Sequence, residues 1–328
     1  MIKTYKPSDF DIVYISYDEP NAEKNWADLK SKAPWAKRVH GVKGFDAAHN
    51  KAGQISETDR LFTIDGDNRV RDDLFNETLE IDEEAQKDYV FSWCGHNVVN
   101  GLAYGNGGVK LWPKHIITNM KSHEKAESEE DAVAFCWMVT YFQMADTMSD
   151  VVVNGSPEQA FRGGYREGVK LSLDRGVLPD KWEYIAKNHF KNLHRLAIWN
   201  SVGMDVEYGD WAILGARMST YQTNVERKDH TLIADYDYMQ EFVQEMLFEY
   251  QDETKRQEAI HEYGVKLRKE LQFRIADLDA DEWNELITFV SENWDLDNSD
   301  SDDDLSVKIE EGLNAGIELV RMTQLFKV

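Results

Sequence analysis

The chain has 328 residues, with 37 Lys+Arg against 61 Asp+Glu for a formal net charge of −24, and is 42% hydrophobic and 12% aromatic. That much apolar and aromatic content excludes global disorder and supplies a large core, at a length suited to one large domain or two ordinary ones. Taken alone, a charge of −24 speaks against a polyanionic partner, because phosphate contacts need Lys and Arg.

The first twenty residues contain no long apolar stretch and no small-residue cleavage pattern, so no secretory signal is expected. No run approaches the roughly 18 apolar residues of a membrane span, and a cytoplasmic protein with no membrane partner is expected. Cys94 and Cys136 stand beside Trp and Phe and are expected to be buried thiols.

In chain order, residues 11–17 read as a buried strand closed by Asp18-Glu19-Pro20. A helix over 22–32, a short strand over 37–42, a helix over 45–56 and a strand over 59–64 follow. This βαβαβ order implies right-handed crossovers and a mostly parallel sheet flanked by helices, a Rossmann-like α/β fold. Residues 89–94 form another strand, running into a loop with glycines at 101, 105, 107 and 108. Ser128 opens an expected helix whose apolar run is 133–144, and 151–153 is a short strand. Ser156-Pro157-Glu158-Gln159 is a helix start, with an N-cap serine, proline at the first helical position and glutamine at the third. Trp182, Ile185, Leu193 and Leu196 recur at helical spacing, and from about residue 236 the pattern is helix after helix, broken by an acidic stretch at 295–304. That stretch lacks the glycine and glutamate that a calcium loop requires. The division expected is an α/β domain over 1–235 and an acidic helical C-terminal region over 236–328.

Asp65-Gly66-Asp67, directly after the strand 59–64, carries the chemistry. Two carboxylates at i and i+2 on a turn leaving a strand can reach one side of a crevice, and open α/β sheets bind ligands just beyond the carboxyl ends of their strands. A hard divalent cation is commonly held by one or two carboxylates together with substrate phosphates. Other D-x-D triplets, such as Asp277-Leu278-Asp279, Asp295-Leu296-Asp297 and Asp300-Ser301-Asp302, have no strand before them and are expected by chance in a chain this acidic.

The stretch Ala48-His49-Asn50-Lys51-Ala52, followed 15 residues after Asn50 by Asp65-Gly66-Asp67, resembles the nucleotide-sugar glycosyltransferases of the GT-A fold. The departures are His49 for the family's arginine, Ala52 for a glycine and Thr58 for a second glycine. Three further segments are similar to the glycosyltransferases, arabinosyltransferases among them, with which T-even-like bacteriophages decorate 5-hydroxymethylcytosine in DNA. They are Ser16-Tyr17-Asp18-Glu19-Pro20-Asn21-Ala22, Arg38-Val39-His40-Gly41-Val42-Lys43-Gly44 and Phe161-Arg162-Gly163-Gly164-Tyr165-Arg166-Glu167-Gly168. The resemblance covers residues 11 to about 220.

It implies a UDP-sugar donor, with arabinose as one sugar, Mn²⁺ or Mg²⁺ as cofactor and hydroxymethylated DNA as acceptor. Ser16, Tyr17, Asp18 and Glu19 would meet the nucleoside, with Arg38 and Lys43 near base or diphosphate. Asp65 would reach ribose and metal, and Asp67 would ligate the metal. Trp93, His96, Trp112, Arg162 and Arg166 would face the acceptor; for Trp112 a loop-anchoring role stands beside the stacking one. Asp205 or Asp210 would supply the base that deprotonates the acceptor hydroxyl, His194 a further metal ligand, and Arg217 a countercharge for diphosphate. Other readings are a transferase for glycan, lipid or protein, and a non-catalytic interaction protein working through its acidic tail.

The charge is unevenly spread. Residues 236–328 hold 9 basic and 24 acidic side chains, whereas 156–200 hold 8 basic and 5 acidic. With screening over about 10 Å at 0.1 M salt, a local basic surface can act despite a distant acidic segment.

Overall fold

The structure is a computed structural model that describes residues 1–105, 107–121, 139–294 and 302–325. Two compact units divide it, Met1–Val152 and Val153–Val328.

In the first unit, β1 (Ile2–Tyr5) is followed by β2 (Asp11–Ser16), α1 (Ala22–Lys32), β3 (Lys37–His40), α2 (Phe45–Ile55) and β4 (Arg60–Asp65). Then come β5 (Asn68–Val70), β6 (Leu79–Asp82), β7 (Tyr89–Asn97), β8 (Ala103–Tyr104), β9 (Val109–Pro113), α3 (Lys114–Ile117) and β10 (Thr140–Val151). β1 pairs only with β6, while the main sheet runs β3-β2-β4-β9-β7-β10-β5, with β8 beside β7. The βαβαβ start is as expected: β2 is parallel to both β3 and β4.

The expectation of a mostly parallel sheet is corrected, because the sheet is mixed. β9 runs antiparallel to β4 and β7, and β5 runs antiparallel to β10. Chain length between strands explains the difference. A parallel neighbour needs a crossover of a dozen or more residues, usually helical, which α1 and α2 provide. The link from β7 to β9 holds no helix among its described residues, and β9 returns antiparallel beside β7.

Every residue of β9 is buried, as are residues 60–64 of β4, so both strands lie in the middle of the core. Ile12, Tyr14, Phe62, Ile64, Val109 and Leu111 pack on one face. Val13, Leu61, Val90, Trp112 and α2 residues Ala48 and Ala52 pack on the other.

A second correction concerns 133–144. Residues 122–138, including Ser128 and Cys136, lie outside the described residues, and 140–144 belong to β10 rather than to a helix. Thr140-Tyr141-Phe142 is a β-branched and aromatic run that pairs in parallel with Tyr89-Val90-Phe91. Of the strand expected at 151–153, only Val151 is in a strand, as the last residue of this longer one. Cys94 is buried, as expected.

The second unit is helical, with α4 (Pro157–Lys170), α5 (Trp182–Asn188), α6 (Phe190–Trp199), α7 (Gly209–Asn224), α8 (Tyr236–Glu249), α9 (Glu253–Glu270), α10 (Ala280–Asn293) and α11 (Asp302–Leu325). Ser156 caps α4 through Oγ, which accepts the Gln159 N–H at 3.1 Å. The residue-235 division drawn from sequence runs through this unit, since α4 packs against both α7 and α8. Among the described residues, no helix is long and apolar enough to cross a membrane.

Glycines bring α4 and α7 together. A Cβ at Gly164 would overlap the Ala212 carbonyl, and one at Gly215 would overlap the Phe161 carbonyl. Replacing a helical glycine with alanine ordinarily stabilises by about 0.5–1 kcal/mol. Here the sign reverses: Gly164→Ala should cost about 1–3 kcal/mol through overpacking. Chemical denaturation monitored by circular dichroism should show the loss, and unchanged or increased stability would refute this close packing.

Candidate functional site

Strand pairing brings the end of β2 and the D-x-D turn together. Ile15 of β2 stands opposite Asp65 of β4, so the carboxyl ends of the two parallel strands emerge side by side. From β2 come Ser16, Tyr17, Asp18 and Glu19; from β4 come Asp65, Gly66 and Asp67.

The turn between the two aspartates is pinned through one carbonyl. Gly66 O accepts the Tyr14 hydroxyl at 2.6 Å and Asn25 Nδ2 at 3.1 Å. A Cβ at position 66 would stand 2.6 Å from the Glu19 carboxyl carbon, so a larger residue there would displace the Glu19 carboxylate from the turn. Glu19 is held in turn by the Tyr17 N–H, 2.8 Å from its Oε2. The Asp65 N–H donates to Gly108 O at 3.0 Å, and Asp67 O accepts the Val152 N–H at 2.9 Å.

Glu19, Asp65 and Asp67 thus crowd one glycine. Burial pushes the Asp67 carboxyl up to about 7, reinforced by the Asp65 and Glu19 charges. Glu19 is raised for the same kind of reason, burial first and then the charges of Asp18 and Asp65. A cluster of carboxylates that suppresses its own ionisation is electrostatically suited to a cation. Among the described residues, no group of three or more His, Cys, Asp or Glu side chains is arranged to hold a metal ion. Asp65 and Asp67 fit the other kind of site, where one or two carboxylates share the ion with phosphate oxygens and water.

His49 is buried and stacked on Phe45, with ring centroids 4.0 Å apart and Nδ1 3.0 Å from Phe45 O. Burial holds its pKa below the usual imidazole value. The ring is therefore a neutral packing group, not the cation that arginine would provide at this position.

Ser16 and Arg38 meet directly. Arg38 Nε donates to Ser16 Oγ at 3.0 Å, and its Nη2 donates to Glu23 at 2.7 Å. The guanidinium lies 5.6 and 5.7 Å from the Tyr14 and Trp26 ring centres. Ser16 Oγ also lies 3.0 Å from His40 Nδ1. Tyr17, Asp18 and Lys43 are exposed at this end of the sheet. One end of β2, β3 and β4 thus gathers the nucleoside and diphosphate candidates of the first unit.

No family model matches the chain, and no curated protein matches it.

Other candidates are placed differently. Trp93 and Trp112 are fully buried, so neither presents a ring to an acceptor. Trp112 Nε1 donates to Thr63 Oγ1 at 2.9 Å, which makes it the anchor of β9 on β4. His96 lies 3.4 Å from Asp150, which Arg69 and Arg71 also bind. Burial and Arg71 hold the His96 pKa low.

The remaining candidates belong to the helical unit. Arg217 is 1% exposed and its donors are spent on Asn200 O, Ile260 O, Ala276 O and Asp277. It is a structural hub rather than a countercharge for diphosphate. Asp210 is ion-paired to Arg256, whose guanidinium covers the Trp211 ring at 4.6 Å, and this argues against a role as base. Asp205 is exposed in the turn before α7, its carboxyl raised by partial desolvation. His194 on α6 is held below its usual pKa by burial. Arg162 bonds Glu158 at 3.3 Å along α4, and Arg166 is half-buried one turn later. Asp277 of the chance triplets binds Arg217, Asp279 caps α10, and 295–301 lie outside the described residues.

Sequence reasoning passed over Asn25, Asn68, Lys110 and Ser149, and read Tyr14 as packing. Lys110 is buried on β9, with Nζ donating to Gly107 O at 2.6 Å. Only the position of Asn68, one residue past the D-x-D, could have drawn attention.

The raised Asp67 carboxyl sets a pH dependence. A carboxyl that holds its proton more tightly in the folded chain contributes stability below about pH 4, and that contribution is lost as pH rises through about 7. Asp67→Asn keeps the Oδ1 acceptor and removes the titration. Without metal, it should raise Tm by about 2–6 °C at pH 8 and change it little at pH 4.5. Equal shifts at both pH values, by differential scanning fluorimetry, would contradict the carboxylate crowding.

Proposed function

We propose that the chain is a metal-dependent glycosyltransferase using a UDP-sugar, with residues 1–152 supplying the donor site. The acceptor in this reading is 5-hydroxymethylcytosine in phage DNA, with arabinose the first sugar to test. The observation that carries it is the meeting of Glu19, Asp65 and Asp67 around Gly66, at the carboxyl ends of two parallel strands. The motif resemblance points to the same residues.

Asp65 and Asp67 would hold Mn²⁺ or Mg²⁺. When bound, the cation supplies Lewis-acid stabilisation of charge on the departing diphosphate. The chain's own part is positional. Tyr14 and Asn25 lock the turn through Gly66 O, so the carboxylates need little reorganisation when donor arrives. Ser16 and His40 offer polar atoms at the end of β2 and β3 for the nucleoside, with Tyr17 exposed beside them. Glu19 adds negative charge that favours the cation's entry and disfavours diphosphate without it.

The acceptor assignment draws on the basic balance of residues 156–200, eight basic against five acidic, in an otherwise acidic chain. Weak binding with steep salt dependence is expected of such a surface.

The test is incubation with a panel of UDP-sugars, Mn²⁺, and DNA with or without hydroxymethylcytosine. UDP release should require the hydroxymethylated DNA, and Asp67→Ala should lower turnover at least about 100-fold with the circular dichroism spectrum unchanged. Release independent of DNA would remove the DNA acceptor, and no release with any donor would remove the transferase reading.

A further inference from the structure

Asn68 bridges the acidic turn and the long strand β10. Its Nδ2 donates to Asp67 Oδ1 at 2.7 Å, and its Oδ1 accepts the Ser149 hydroxyl at 2.6 Å. Asn68 is 3% exposed and Ser149 is 0% exposed. The bridge is anchored at both ends by the antiparallel β5–β10 ladder, in which Asn68 faces Val151 and Val70 faces Ser149.

One glycine makes room for it: a Cβ at Gly108 would overlap the Asn68 amide, whereas one at Gly95 would collide with Val151 and not with the bridge. Chemistry then fixes the direction of the relay. Once ionised, as a cation ligand must be, the Asp67 carboxylate only accepts, so the amide then presents its NH₂ to Asp67 and its carbonyl to Ser149. A flipped amide would set two acceptors against each other.

We propose that Asn68, oriented by Ser149, is a positioning residue that fixes the rotation of the Asp67 carboxylate and thereby sets the affinity of the site for a divalent cation. This rests on the reading of Asp67 as a cation ligand. A hydrogen-bonded carboxylate presents a defined oxygen to an incoming ion, whereas an unsupported one must be ordered as the ion binds. Outer partners of this kind typically alter metal affinity by about 10- to 100-fold.

The test uses the full-length chain and Mn²⁺ alone, with free ion counted by electron paramagnetic resonance. Asn68→Ala should weaken Mn²⁺ binding about 10- to 100-fold. Ser149→Ala should weaken it less, and the double variant should be no weaker than Asn68→Ala, because Ser149 acts only through Asn68. A merely structural role would give additive losses of stability without this pattern in affinity. If Asn68→Ala does not fold, Ser149→Ala carries the affinity test.

A second readout needs no metal: the Asn68 side-chain amide protons should exchange slowly in the wild-type protein and at least about tenfold faster in Ser149→Ala. Wild-type Mn²⁺ binding with unchanged affinity in Asn68→Ala, or in Ser149→Ala should it stand in, overturns the positioning role alone. Fast amide exchange in the wild-type protein does the same. No Mn²⁺ binding by the wild-type chain overturns both this role and the cation seat.

Discussion

Burial of neighbouring carboxyl groups is the constraint on which the first unit turns. Glu19, Asp65 and Asp67 are brought around a residue with no side chain, and burial there drives the Asp67 carboxyl to about 7. Left to itself, such a turn would relax by swinging the acids apart. The fold prevents that with neutral donors: Tyr14 and Asn25 on the Gly66 carbonyl, Asn68 on Asp67, and the Tyr17 N–H on Glu19. None of these donors carries a charge, so they fix geometry without neutralising the local negative potential.

The sheet makes this arrangement possible. Parallel pairing of β2 with β4 delivers the two acidic segments at the same end, and antiparallel β9 brings Gly108 alongside Asp65. β10, antiparallel to β5, brings Ser149 to Asn68. Both of the last two contacts depend on antiparallel neighbours. The mixed order thus sets the contacts around the acidic turn.

Short-range patterns were legible from sequence, and long-range ones were not. The alternation of strand and helix over 11–64 rests on local periodicity and turn residues, and β2, α1, β3, α2 and β4 follow it closely. The D-x-D was found because a strand precedes it. The apolar residues around 140–144 suit either period, and pairing with β7 decided for strand. Trp93 reads from sequence as an acceptor-facing ring until neighbouring strands cover it, Trp112 reads as either a stacking ring or an anchor, and Arg217 reads as a countercharge until three carbonyls and Asp277 close over it. Asn68 and Ser149, 81 residues apart, have no local signal that could join them.

The central claim is that Asp65 and Asp67 form a cation seat whose proton must leave before the ion binds. Calorimetric titration of the wild-type chain with Mn²⁺ alone, repeated in buffers of different ionisation enthalpy, counts that proton directly. Binding should release about one proton per ion near pH 6 and close to none at pH 8.5, because Asp67 titrates near 7. Binding without proton release at pH 6, or no binding at either pH, would contradict the account.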